Sequence, residues 1–442
     1  MHSSKKIQRA WVVFDWANSA YSLVVVSAIF PQVFNVFAGD SPVFLGVNFH
    51  NPETLYTLSI CFSFVLVTLM SPILSGIADF SGKKKEFMRI FTVIGSLACM
   101  GLFFFSPERL WVGVLGAILG SVGYSGSMVF YNAFLPEIAT VQEQDRLSAR
   151  GYSYGYLGSS LLLIGLLFMV SKFEALGFES ELAVFMIGFV LVGVWWLGWS
   201  QWTFSFLPTE TTNTSSSTKK AIKGGVTALK NVWKSLKHQK ELKQFLYAFF
   251  AVDLALQTLI IVAPLFAQNS VGMKGSELIL VVLIMQFLGI IGAVLFSRIS
   301  QLKGNIWSLM ISTGIYLLIC VLASVYSDKL VFYGLAGLMG LALGGVQSQA
   351  RSCYSKLLPG LGHTASYFSF FDVLEKVAIV TGTLLYAAIA YFFAGNEILS
   401  APKIGMLVLA FFFLLALFLW LPLRKIKKLQ CVHEAITDNT LD

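Results

Sequence analysis

Apolar stretches of about 20 residues, each long enough to cross the ~30 Å hydrocarbon core of a bilayer as a helix, recur along nearly all of this 442-residue chain. Because lipid offers no hydrogen bonds, a spanning segment must satisfy its backbone groups internally, as a helix does. Only 12% of the residues are charged, whereas ~25% is usual in soluble domains. The sequence therefore predicts an all-α polytopic membrane protein.

Twelve spans are predicted, six on each side of a long polar segment. They cover residues 10–37, 54–78, 88–106, 110–136, 147–170, 181–203, 243–268, 276–299, 306–326, 330–353, 365–394 and 402–423. The first is too long for a cleaved signal peptide and contains Asp15. We predict an N-terminal six-helix bundle over 1–208, a cytoplasmic linker over 209–242 and a C-terminal six-helix bundle over 243–442.

The polar segment between the halves has two parts. Residues 209–218 are rich in Thr and Ser, a composition typical of flexible linkers. Residues 219–243 are basic, with apolar residues at helical spacing from Ile222 to Leu236. Both a helix on the cytoplasmic membrane surface and a solvated tether would have this pattern. Two six-span halves joined by a long loop are typical of transporters built from repeats.

Positive charge is distributed unevenly between the loops. Of the 31 Lys and Arg residues, 25 fall on the side of the termini, five on the opposite side, and Lys376 inside a span. Because cytoplasmic loops are enriched in Lys and Arg, we expect both termini in the cytoplasm and an even number of spans. The net charge of +8 then reflects topology, and no basic soluble segment predicts nucleic-acid binding.

The first span contains a polar stripe. Asp15, Asn18 and Ser19 lie at positions i, i+3 and i+4, so they share one helix face, and Tyr21 follows in the same motif. A charge at membrane depth costs ~2.5–3.5 kcal/mol. We therefore expect this face to point into the protein, near Asp253 or the polar residues of span eleven. Asp253, with Gln257 one turn later, occupies the corresponding span of the second half.

The loop after span two reads G-I-A-D-F-S-G-K-K-K, and includes Gly76, Asp79, Gly82 and Lys83. Glycines permit a tight turn and close helix approach, and Asp79 is placed to cap the next helix or to pair with a base. This string resembles the signature loop of the major facilitator superfamily. The corresponding second-half loop, from Ser297 to Asn305, keeps basic residues and lacks the aspartate.

A narrower resemblance is to the vacuole-effluxer family, the autophagy-related amino-acid exporters and their bacterial relatives. It rests on F-D-W-A-N-S-A-Y from Phe14, F-P at 30–31, Y-N-A-F-L-P-E-I from Tyr131, the Asp253–Gln257 pair, and G-G-V-Q-S-Q-A-R-S from Gly344. The resemblance implies a secondary transporter that works by alternating access, with amino-acid efflux the best-known activity. It does not identify the solute, because specificity depends on a few cavity side chains.

The candidate cavity residues are the polar ones in these motifs: Asp15, Asn18, Tyr21, Tyr131, Asn132, Asp253, Gln257, Gln347 and Arg351. Arg351 is suited to bind a substrate carboxylate with two hydrogen bonds, or to serve as an anchor at the inner end of its span. Gly76, Asp79, Gly82 and Lys83 are interpreted as gate or signature-loop residues, although helix capping and loop ion pairs explain Asp79 as well.

Span eleven carries Asp372, Glu375 and Lys376. Asp372 and Lys376 are four residues apart and can neutralise each other, whereas Glu375 has no partner at helical spacing. Removing a carboxyl group from water favours its protonated form, as a reversible proton carrier requires. These three residues are therefore assigned to proton coupling. A cross-bundle arginine that held Glu375 ionised remains an alternative.

The five cysteines and five histidines show no metal-ligand spacing, so we expect no metal site and no cofactor. The absence of histidine from the predicted spans leaves carboxylates to carry protons. An exporter of amphipathic molecules such as drugs or lysolipids, and a receptor or scaffold without transport, remain alternatives, whereas no nucleophile or phosphate-binding motif supports an enzyme. The expected partners are a small solute, protons and the bilayer, for a monomer in a bacterial inner membrane.

Overall fold

The computed structural model describes residues 5–209, 218–273, 275–393, 401–426 and 429. Its helices are α1 (Lys5–Ala20), α2 (Phe30–Ala38), α3 (Pro52–Ser81), α4 (Lys84–Gly101), α5 (Leu110–Ala133), α6 (Leu135–Ile138), α7 (Val141–Ser171), α8 (Glu181–Phe206), α9 (Thr218–His238), α10 (Lys240–Asn269), α11 (Gly275–Lys303), α12 (Asn305–Val325), α13 (Lys329–Leu357), α14 (Thr364–Phe392) and α15 (Ala401–Trp420). A short antiparallel hairpin, β1 (Val43–Phe44) and β2 (Val47–Asn48), follows α2.

Eleven segments of the described part are long and apolar enough to cross a membrane. Two long helices lie outside this set: α9, which belongs to the predicted linker region, and α14, which has 29 residues and carries Asp372, Glu375 and Lys376. These segments and the superfamily neighbours reported below confirm the predicted all-α fold with twelve membrane helices. The Thr/Ser-rich part of the predicted linker, residues 210–217, lies outside the described residues.

The chain forms two compact units. Unit 1 comprises Met1–Phe134, Tyr154–Lys230 and Gly362–Ser369, and unit 2 comprises Leu135–Ser153, Asn231–Leu361 and Phe370–Asp442. Helices α7, α9 and α14 each contribute residues to both units. The predicted bundle boundaries at 208 and 243 stay a prediction.

In unit 1, the first span is not a regular α-helix. Between α1 and α2, nine residues from Tyr21 to Ile29 form a π-helical segment, and Pro31 then lies in the first turn of α2. A π-helical turn is wider than an α-turn and occurs often at functional sites. Here it begins at Tyr21, one of the candidate cavity residues, and directly follows the stripe of Asp15 and Asn18.

The ends of α3 show why the signature loop contains its glycine. The side chain of Asn51 caps the start of α3 by accepting a hydrogen bond from the Thr54 amide at 2.8 Å. At the other end Gly82 has φ 67°, a left-handed conformation that side chains with a Cβ rarely adopt. Gly82 thus ends α3 and lets α4 begin two residues later.

In unit 2, glycines let α11 and α13 pack at backbone contact. A Cβ added to Gly344 would collide with the carbonyl oxygen of Gly289 and lie 2.7 Å from the Ala293 amide nitrogen. Gly340 similarly faces the backbone of Met285. Small residues at membrane-helix contacts allow such close approach, which maximises dispersion contacts where lipid removes the hydrophobic driving force.

We predict that Gly344→Ala destabilises the protein by about 1–3 kcal/mol, because backbone atoms of α11 cannot move aside as a flexible side chain would. Gly334, on the same helix, has open space at its Cβ position, so Gly334→Ala should be neutral or stabilising. The midpoint of thermal denaturation in detergent measures both. Equal midpoints for the two variants would contradict this account of the α11–α13 contact.

Candidate functional site

Asp15 is buried in unit 1, and Tyr131 of α5 donates a hydrogen bond to its carboxylate. The Tyr131 hydroxyl lies 2.7 Å from Asp15 Oδ2, and Asp15 is only 3% exposed. Trp11 stacks on the Tyr131 ring at 4.3 Å and donates its indole N–H to the Tyr131 carbonyl oxygen. Trp11 thus contacts both the ring and the backbone of Tyr131, and it holds the phenol hydroxyl beside the Asp15 carboxylate.

Asn18 continues this polar surface one turn later. Its amide nitrogen lies 3.4 Å from Ser127 Oγ, whereas its Oδ1, although buried, has no hydrogen-bond partner. Tyr21 Oη pairs with Ser121 at 3.4 Å. Asp15 and Asn18 are buried, as their helical spacing predicts, whereas Ser19 is half-buried. Whether this face lies near Asp253 stays a prediction.

Glycines of α7 make room for this part of α1. A Cβ on Gly155 would meet Ser19 Oγ, and one on Gly158 would lie 2.8 Å from Trp16. Trp16 in turn stacks on Trp195 of α8, which donates to the Trp16 carbonyl oxygen at 3.1 Å. Ser19 and Trp16 of α1 therefore pack directly against the backbone of α7.

In unit 2, acidic residues of α10 and α14 surround a single lysine. Lys376 Nζ lies 3.0 Å from Asp372 Oδ1 and 3.8 Å from Glu375 Oε1. Asp253 lies within electrostatic range of all three, and its Oδ1 accepts a hydrogen bond from Gln257 at 3.1 Å. These five side chains are called the acidic cluster below.

Glu375 has no partner at helical spacing on α14, as expected, yet the adjacent Lys376 approaches it. Adjacent positions on a helix normally point in different directions. Lys376, however, has a long side chain, and it reaches Asp372 while remaining 3.8 Å from Glu375. Glu375 is the most exposed member of this trio, with 30% of its side chain accessible.

The acidic cluster is incompletely satisfied. Asp253 and Asp372 are 3% and 7% exposed, and the Oδ2 atom of each is buried without a hydrogen-bond partner. Buried carboxylate oxygens are normally hydrogen-bonded, because desolvation otherwise costs several kcal/mol. The cluster therefore has capacity for added donors.

A second charged network in unit 2, not predicted from the sequence, is centred on Asp145 of α7. Lys356 Nζ lies 2.8 Å from Asp145 Oδ2, and Asn305 donates to Oδ1 at 2.7 Å. Ser300 and Ser352 also donate to the carboxylate. No sequence spacing could reveal it, because its members come from α7, α11, α12 and α13 and are more than 150 residues apart from Asp145.

Arg351, interpreted as a ligand for a carboxylate or as an anchor at the inner end of its span, is buried. Its guanidinium donates to Ser148 Oγ at 2.9 Å and to the Ser148 carbonyl oxygen at 2.8 Å, and it lies over the Tyr152 ring. Asn132 and Gln347, two further candidates, are half-buried. A role for any of these side chains in solute binding stays a prediction.

Residues of the signature loop contact parts of unit 1 that are distant in the sequence. Asp79 does not cap the next helix, α4. Instead it accepts hydrogen bonds from the amides of Ala365 and Ser366 at the start of α14. Gly76 contacts the backbone of Gly225 in α9. Lys83 is exposed and pairs only loosely, at 3.7 Å, with Glu86.

Among the described residues, no group of His, Cys, Asp and Glu side chains has the arrangement of a metal site. The polar geometry is thus that of buried carboxylates with amide, hydroxyl and ammonium partners. Such an arrangement can exchange protons or hold a cationic group.

The chain matches a known protein family over nearly its whole length. The profile described as "Vacuole effluxer Atg22 like" matches residues 3–430. The chain belongs to this family. It is 27% identical, over 92% of its length and 94% of the relative's, to the uncharacterized MFS-type transporter YxiO of Bacillus subtilis. It is 27% identical to the autophagy-related protein 22 of Kluyveromyces lactis, over 76% of this chain and 72% of that protein.

Solved structures show the fold. The human organic anion transporter MFSD10 superposes with a TM-score of 0.70 at 11% identity, over 94% of this chain and 99% of that one. The proton:xylose symporter XylE gives 0.70 at 13% identity, over 93% and 94%. The protein is therefore an integral membrane protein and an MFS-type transporter, a class distinct from enzymes.

We predict that Asp145→Asn destabilises the protein by about 3 kcal/mol or more, because it leaves the Lys356 ammonium buried without its counter-ion. Adding Lys356→Met should restore part of the loss by removing that charge. Denaturation midpoints in detergent provide the measurement, with Asp40→Asn in an exposed loop as the control. If Asp145→Asn alone were as stable as Asp40→Asn, the role given to the ion pair would be refuted.

We also predict that Tyr131→Phe costs about 1–3 kcal/mol, since Asp15 loses a buried donor. In the Asp15→Asn background the same change should cost less, because the charged acceptor is gone. This difference is the coupling energy of a double-mutant cycle. Tyr154→Phe, at an exposed tyrosine, is the control. Additive effects of the two substitutions would exclude a stabilising Asp15–Tyr131 contact.

Proposed function

We propose that this transporter couples the movement of a small polar organic solute to protons, by alternating access and in the direction of efflux. The proposed location is a bacterial inner membrane with both termini in the cytoplasm, as the distribution of basic residues indicates. The observation that carries the proton coupling is the charge imbalance of the acidic cluster in unit 2.

Three carboxyl groups and one ammonium group form the charged part of this cluster. If all four were ionised, two negative charges would remain uncompensated. Like charges about 4 Å apart repel by roughly 4 kcal/mol at an effective dielectric constant of ~20. Binding a proton or a cationic solute group removes this repulsion. Each kind of ligand lowers the negative charge that attracts the other, so binding of one weakens binding of the other, which is the physical basis of exchange.

Glu375 is the member of the cluster best suited to exchange protons with the surroundings. It is partly exposed and lies 3.8 Å from Lys376, whereas Asp372 is buried and holds the same ammonium at 3.0 Å. Lys376 can thus remain neutralised by Asp372 while Glu375 gains or loses its proton. The family description as vacuole effluxers supports the direction, and the fold also serves a proton:xylose symporter.

One feature of unit 1 favours an alternative, the export of amphipathic molecules. An apolar cavity of about 280 Å³ lies beside the π-helical segment and is lined by Val24, Leu161, Leu166, Val192 and Trp195, among others. A solute with an acyl or aromatic portion would fit such walls. A thermal-shift screen against amino acids, peptides and lysolipids distinguishes the two functions. A receptor without transport would bind a ligand and fail to move it.

We predict that Glu375→Gln, reconstituted with the solute selected in that screen, loses acceleration by an imposed proton gradient and keeps solute exchange. Glutamine imitates the protonated carboxyl group in shape. A gradient of one pH unit corresponds to about 1.4 kcal/mol per proton. In the wild type, one coupled proton can therefore change the ratio of solute concentrations across the membrane by up to about tenfold. Radiolabelled uptake and exchange in proteoliposomes measure both quantities.

Glu277→Gln is the matched control, because Glu277 pairs with Lys329 outside the acidic cluster and should leave the gradient response intact. Unchanged gradient dependence in Glu375→Gln would show that Glu375 does not carry the proton. Asp253→Asn would then be tested in the same assay.

A further inference from the structure

We propose that the acidic cluster binds the ammonium group of the solute, so that the transporter prefers organic cations bearing a primary amine over amino acids and over carboxylates. This inference rests on the proposed transport function and specifies its substrate class. It stands on two observations of unit 2: unpartnered carboxylate oxygens, and buried bases that are already engaged.

The unpartnered oxygens are Oδ2 of Asp253 and Oδ2 of Asp372. Both residues are more than nine-tenths buried, and they lie on α10 and α14 within electrostatic range of one another. A carboxylate accepts hydrogen bonds and donates none, so the missing ligand is a donor. A primary ammonium offers three donors and one positive charge, which matches acceptors on two facing helices.

Recognition of an amino acid would also require a partner for its carboxylate. Among the described residues, the buried bases of unit 2 are Arg351, Lys356 and Lys376. Arg351 donates twice to Ser148, Lys356 is paired with Asp145, and Lys376 is shared by two acids of the cluster. A solute carboxylate at the acidic cluster would therefore meet net negative charge.

Packing around the cluster strengthens this discrimination. Phe371, next to Asp372, stacks on Phe249 at 4.3 Å and on Tyr354 at 4.7 Å. Phe249 precedes Asp253 by one helical turn. These buried rings exclude water beside the carboxylates, and a low local dielectric strengthens both attraction to a cation and repulsion of an anion. Glu375, which is partly exposed, marks the side from which the solute reaches the cluster.

The test measures binding of matched compounds to the purified full-length protein in lipid nanodiscs at constant pH. The sets are phenethylamine, phenylalanine and hydrocinnamate; isoamylamine, leucine and isocaproate; and pentylamine, norleucine and hexanoate. Within each set only the charged groups differ. We expect the amine to bind at least about tenfold more tightly than the amino acid, because the amino acid adds a carboxylate that the net negative charge of the cluster repels. The carboxylate should bind least, because it also lacks the ammonium donors.

Asp253→Asn should reduce amine binding by about tenfold or more, and Asp253→Glu should restore part of it. Asp372→Asn provides a second test should Asp253→Asn fail to fold. Glu277→Gln, which removes a carboxylate of unit 2 outside the cluster, should leave binding unchanged. The unliganded denaturation midpoint of each variant checks that its fold is retained.

Amino acids that bind as tightly as their amines, or a panel in which no amine binds, would overturn the proposal. Loss of amine binding in Glu277→Gln as well as in Asp253→Asn would overturn the assignment to this cluster. Because binding is measured without a gradient, its outcome is independent of proton coupling. Amine selectivity without a gradient response would refute the coupling alone, and a gradient response without amine selectivity would refute the substrate class alone.

Discussion

The cost of taking a charged side chain out of water constrains this structure more than any other interaction. Among the described residues, each buried carboxylate has a partner that offsets at least part of the cost: Tyr131 for Asp15, Lys356 for Asp145, Lys376 for Asp372 and Gln257 for Asp253. An unpaired buried charge costs several kcal/mol, which is a large part of a protein's net stability. Where the two partners lie on different helices, as for Asp15 and Asp145, those helices must meet. Elsewhere, glycines such as Gly155 and Gly344 let helices approach closely, α7 to α1 and α13 to α11.

The two halves of the sequence place a buried or half-buried carboxylate differently near the loop that follows their second span. After the second span, Asp79 accepts hydrogen bonds from the start of α14 within unit 1. The corresponding loop of the second half lacks an aspartate, and Asn305 begins the following helix. In unit 2 the carboxylate comes instead from Asp145 of α7, which binds Asn305, Ser300 and Lys356. The carboxylate of unit 1 thus lies on α3, at the start of the signature motif's glycine turn, and that of unit 2 lies on α7.

The contacts of these carboxylates show what the sequence could and could not predict. Helical spacing was sufficient to predict that Asp15 and Asn18 share a buried face, since that property depends on one helix. Tyr131, 116 residues away, was recognised as a candidate and not as the partner of Asp15. Asp145 was missed, because its position near a predicted span end suggested solvent. Its burial depends on side chains of three other helices, which a pattern within one helix does not encode.

Lys376 is shared by Asp372 and Glu375, although the spacing of residues on a helix predicts only its pair with Asp372. Asp372 and Lys376, four residues apart, form the close pair, while Glu375 is held at a longer distance and partly exposed. In the proposed mechanism a proton on Glu375 therefore leaves the Asp372–Lys376 pair in place. A solute ammonium at Asp253 and Asp372 compensates the same excess charge as that proton. Because either ligand relieves the same repulsion, binding of one weakens binding of the other, and the cluster couples them without a further site.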